Sequence, residues 1–189
     1  MDESARELSL RHDPRMLLFV ECAREYCGLI ENPPADSKAW TRSLLTALSE
    51  LYAAALGLRA IEGVAASEAN LSRFEVSHDE WRTLYHRLCS QLGPDAWYWM
   101  YYEPMVPQVE KAAPVAGNLA DDLADVYRDV VPGLRAWGSE DDSLLDEIVF
   151  QWIKGGFEIH WGSHAADALG ILHRVVMGRI VKDLDAPPL

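Results

Sequence analysis

With 189 residues, 49% of them hydrophobic and 25% charged, the chain has the balance of one globular domain and not of a disordered segment. Thirty acidic against seventeen basic residues leave a net charge of −13, with no long basic cluster to offset it. That sign argues against nucleic acid and anionic membranes as partners and favours a basic protein.

The opening, MDESARELSLRHDP, is too charged for a signal peptide, and no apolar run approaches the length of a membrane span. Cys22, Cys27 and Cys89 are odd in number and lack metal-site spacing. Reduced thiols in a cytoplasmic protein are the expectation.

After a polar leader, residues 1–12, Asp13-Pro14 supplies an N-cap followed by proline in the first turn. Phe19, Cys22, Ala23, Tyr26 and Ile30 then recur at helical spacing, up to Asn32-Pro33-Pro34. Asp36 and Ser37 open a second helix with Trp40, Leu44, Leu48, Leu51, Ala55 and Leu58 on one face, stopping near Gly63. Residues 64–76 show no sustained period and read as a loop. Ser77 to Glu80 form a capping box ahead of the stripe Trp81, Leu84, Tyr85, Leu88 and Leu92, which ends at Gly93-Pro94-Asp95.

Trp97 to Tyr102 hold five aromatics in six residues, with Pro104 and Pro107 close behind. A short helical turn running into an extended crossover is expected there. Asn118 caps a fourth helix with the stripe Leu119, Leu123, Val126, Tyr127, Val130, Leu134 and Trp137; Pro132 should kink or divide it. The acidic run Glu140-Asp141-Asp142 suits the first turn of a last helical region. Its centre is Phe150 to His173, which Gly155-Gly156 could break. The pattern fades before a tail at residues 183–189. There is no alternating strand pattern of any length and no internal repeat, so the expected fold is all-α, a single-domain bundle of about five to six helices.

Chemistry is sparse. His160 and His164 have the i, i+4 spacing that brings two imidazoles to one ion, and an unbroken helix would set His164 amid Ile153, Phe157, Ala168, Ile171 and Val175. Two ligands are not a site, and the best acidic helix turns Asp121 and Asp125 opposite its Leu123–Val130–Leu134 stripe, towards solvent. Asp122 and Asp129 read with them as a solvated acidic face. A core histidine bonded to a neighbour is therefore the reading, and no metal site, cofactor or catalytic residue is assigned. Asp167, about 60° from His164, could orient an imidazole. Nucleophile elbows, phosphate loops and dinucleotide fingerprints are absent from the sequence. The cluster Trp97, Tyr98, Trp99, Tyr101 and Tyr102 is the other candidate binding surface, since such side chains join large apolar area to a polar tip.

Several strings, in order, resemble a bacterial family, domain of unknown function 5063. They are Leu44-Leu45 with Leu51 to Leu56, Leu92-Gly93-Pro94-Asp95, Leu119 to Tyr127, and Trp161-Gly162 with Ala168-Leu169 and His173. The likeness runs from about Pro14 to Arg174. It implies an all-helical, cytosolic bacterial protein with no activity or catalytic residue to carry over. Two functions are expected from charge and residues together. The first is a non-enzymatic acidic interaction module, immunity- or antitoxin-like, that binds a basic partner through an acidic face and the Trp97–Tyr102 segment. The alternative is a small-molecule-binding or metal-assisted enzyme with a pocket around His160, His164 and Asp167.

Overall fold

Caps and apolar stripes set the helices, and the computed structural model describes them over residues 10–61, 69–101 and 113–184, with side chains to residue 178. Helix α1 (Pro14–Glu31) starts where Asp13 accepts from the Arg15 N–H. Helix α2 (Ser37–Leu58) starts where Asp36 accepts from Lys38 and Ala39. Helix α3 (His78–Leu92) carries the expected capping box between Ser77 and Glu80. Helix α4 (Leu119–Trp137) is capped by Asn118. Of the two outcomes expected at Pro132, division does not occur: the helix runs on through it, with one backbone bond fewer. A short α5 (Leu145–Phe150), a π-helical turn (Gln151–Phe157) and α6 (Trp161–Leu184) complete the order.

The sequence reading of Trp97–Tyr102 is corrected. Trp97–Tyr101 is a strand, β1, paired antiparallel with β2 (Pro114–Asn118), with Trp97 opposite Asn118 and Tyr101 opposite Pro114. The two form a small ribbon beside the bundle. Alternation was hidden because aromatic residues occupy both faces of β1, so no polar position marks the period.

Helices α1 and α2 pack as an antiparallel pair, and α4 lies against α1, α3 and α6. Leu119, Leu123, Val126 and Val130 of α4 are fully buried, as are Phe19, Tyr26, Trp40, Leu48, Trp152 and Trp161 around it. Four buried aromatic side chains have their polar tips engaged. Tyr26 donates to the Leu123 carbonyl, Trp40 to Leu29, Trp152 to Val130 and Trp161 to Trp152. Cys22 and Cys27 are buried free thiols, and Cys89 is a partly exposed one. Among the described residues no helix is long and apolar enough to cross a membrane.

The stretch from Phe150 to His173 is not one helix. The π turn runs through Gly155-Gly156, and the chain then bends over Glu158 to His160 before α6 begins. Glu158 N–H donates to Ile153 and His160 N–H to Gly156, closing the wide turn. Ile153 and Phe157 therefore belong to a different element from His164, and its angular placement among them does not apply. The corner is tight. A Cβ on Gly162 would collide with the Phe157 carbonyl, and one on Gly156 with the Trp161 ring.

Helix propensity alone would make Gly162→Ala stabilising, by about 1 kcal/mol. The collision with backbone should reverse that sign. We expect destabilisation of about 1–3 kcal/mol in urea denaturation, and a stabilised variant would show that the corner relaxes freely.

Candidate functional site

Asp122, Asp125 and Asp129 fall within about 60° of one another around α4, on the side away from Leu123, Val130 and Leu134. The expectation that this side faces solvent is overturned for its central members. Asp122 is 5% exposed and Asp125 8%, because α3, β1 and α6 stand over that face. A carboxylate withdrawn from water needs hydrogen-bond donors, and each of these has them.

Asp122 Oδ1 lies 2.8 Å from His164 Nδ1, while its Oδ2 accepts from the Tyr98 hydroxyl at 2.7 Å. Asp129 Oδ2 lies 2.7 Å from His160 Nδ1. Asp125 Oδ1 accepts from Trp81 Nε1 at 2.9 Å and pairs with the Arg128 guanidinium at 3.1 Å. Its Oδ2 stands 3.6 Å from His164 Nε2. The two imidazoles face each other edge-on, 4.8 Å between centroids.

These contacts decide what each nitrogen can do. With Nδ1 of both rings against a carboxylate, the neutral imidazole carries its proton there and leaves Nε2 as the lone-pair atom. One ring nitrogen from each histidine and one oxygen of Asp125 lie within 4.8 Å of one another. That is the donor set of a two-histidine, one-carboxylate metal centre. Asp122 and Asp129 occupy the place of the outer carboxylates that orient metal-bound imidazoles, and Trp81, Tyr98 and Arg128 hold the carboxylates in turn.

The hydrogen bond to Asp122 raises the His164 pKa above its ordinary value; burial acts against the rise, and the charges of Asp122, Asp125 and Asp121 add to it. Desolvation, followed by the neighbouring carboxylates, lifts Asp121, and desolvation with Asp122 lifts Asp167. Burial, reinforced by the bond to Asp122, pushes the Tyr98 phenol well above its usual range.

His160 and His164, singled out by spacing, thus do meet at one place. Asp167 is exposed at its edge, and no hydrogen bond joins it to either ring among the described residues. The aromatic segment divides by strand alternation. Tyr98 turns inward over Gly117, where a Cβ would strike its ring. Trp97, Trp99 and Tyr101 turn outward, 61%, 73% and 55% exposed. Tyr102 lies outside the described residues. Sequence reasoning missed Asp122, Asp125 and Asp129 as partners, along with Trp81 and Arg128. Their i, i+3, i+7 spacing was visible, but nothing local said the stripe would be covered. A concavity of about 870 Å³ between α1 and α2 is lined by Leu18, Cys22, Ala47 and Glu50 among others and shares no residue with this cluster.

Fold and cluster together define a single-domain helical protein with a histidine–aspartate centre between its central and last helices. The chain belongs to the family described as Domain of unknown function (DUF5063), whose profile matches residues 11–178. The crystal structure of protein BF1032 from Bacteroides fragilis is similar over 88% of this chain and 98% of that one, with TM-score 0.70 and 20% identity, a likeness of fold. No curated protein matches the chain significantly.

If His164 merely filled space, leucine would be tolerated there. Because it partners the buried Asp122, His164→Leu should destabilise the metal-free protein by about 1–3 kcal/mol, measured as a lowered denaturation midpoint at unchanged slope.

Proposed function

We propose that the protein binds a divalent transition-metal ion through His160, His164 and Asp125 and uses it in ligand binding or metal-assisted chemistry. One observation carries this reading: three ligand atoms of suitable type, from α4, from α6 and from the bend just before it, converge within 4.8 Å. Two imidazoles and one carboxylate suit zinc or ferrous iron better than calcium or magnesium, which take all-oxygen shells. Structural zinc sites commonly close with four protein ligands, whereas three leave a coordination position for something else. The outward edge supports that use, since His160 and His164 are only partly buried.

Protein purified without an affinity tag and titrated with Zn²⁺ or Co²⁺ should bind one equivalent. His160→Ala, His164→Ala or Asp125→Ala should weaken binding at least tenfold, and His173→Ala, on the exposed face of α6, should leave it unchanged. At a hundredfold excess over Kd the metal should add about 2.7 kcal/mol to stability. Equal binding by all four variants would remove the site.

A second reading rests on the ribbon. Three large aromatics side by side on its outer face are the composition of an interaction anchor, and the acidic chain would attract a basic protein. Replacing Trp97, Trp99 and Tyr101 together by serine should leave the melting temperature of the bundle nearly unchanged while abolishing any salt-sensitive capture of a basic partner. Capture that survives the triple change would place the interaction elsewhere.

A further inference from the structure

The surroundings of the metal-ligand cluster select what an open coordination position would accept. Asp122 and Asp129 sit behind the two histidines, Asp125 is itself a ligand, and Asp121 and Asp167 interact electrostatically with the same group. Against these five carboxylates stands the Arg128 guanidinium, which spans Asp125 and Asp129. A dication added to this set leaves the negative charge in excess. Metal centres that take phosphate or carboxylate substrates surround the ion with arginine, lysine or backbone N–H donors; here acceptors surround it instead.

We infer that the open position of the His160–His164–Asp125 centre excludes anions and takes an uncharged nitrogen donor, an amine or an imidazole. This rests on the metal-binding reading above and adds the class of ligand to it. The physical basis is the sign of the local field. An incoming anion gains from the metal but is repelled by each carboxylate, and at about 8 Å with an effective dielectric near 40 each pair costs about 1 kcal/mol, a factor of about five in affinity. A neutral donor feels only the attraction, and an ammonium group elsewhere on the ligand gains from the acidic rim.

The test uses the full chain loaded with Co²⁺, whose visible spectrum responds to ligand exchange. Imidazole at millimolar concentration should change the spectrum, and azide or inorganic phosphate at the same concentration should not. The double variant Asp121→Asn/Asp167→Asn keeps all three metal ligands and should raise azide affinity at least fivefold while leaving imidazole affinity within a factor of two. Added inert salt should narrow the difference between the two proteins, because screening acts on the rim charges. Azide or phosphate bound as tightly as imidazole by the native protein, or an affinity for azide that the double variant leaves unaltered, overturns the inference while the metal site stands. Failure of Co²⁺ to bind at all overturns the site itself, and this inference with it.

Discussion

Helix α4 has neighbours on both its apolar and its acidic side, and the cluster follows from that enclosure. Two carboxylates held away from water are tolerable only where donors reach them, since an unpartnered charge in the interior costs several kcal/mol. The donors come from three different elements: Trp81 of α3, Tyr98 of β1 and His164 of α6. Satisfying Asp122 and Asp125 therefore also fixes how those three elements sit around α4. The apolar core holds the bundle together, and the polar cluster selects one arrangement of its parts.

The corner between the π turn and α6 gives the histidines their positions. His160 closes the bend through its backbone bond to Gly156, and His164 stands one turn further along. Trp161 lies between them, fully buried, with its indole donating to the Trp152 carbonyl. With Trp161 anchored inward, His160 before it and His164 after it both reach aspartates of α4. Wide π turns often mark functional positions in helices; here the turn places the first residues of α6 opposite the aspartates.

Ribbon and cluster are joined through one side chain. Tyr98 is the inward residue of β1 and reaches Asp122, which in turn meets His164. The outward residues of the same strand carry the exposed aromatics. Two hydrogen bonds, Tyr98 to Asp122 and Asp122 to His164, thus join this strand to a histidine of the cluster.

Helix boundaries were legible in the sequence wherever a local chemical signal marks them: Asp13-Pro14, Asp36, the Ser77–Glu80 box and Asn118 each begin a helix as read, because capping involves residues only a few positions apart. The apolar stripes, and with them the all-helical class, were legible for the same reason. The strand in Trp97–Tyr101 was not, since its period is masked by aromatics on both faces. Nor was the burial of Asp122 and Asp125. An angular plot correctly sets them opposite the Leu123 stripe, but whether that side meets water depends on α3, β1 and α6, which are distant in sequence. The i, i+4 histidines were readable as a pair. Only the packing of α6 and the bend before it against α4 supplies their carboxylates, because a ligand set drawn from segments distant in sequence is a property of tertiary contact and leaves no local spacing to read.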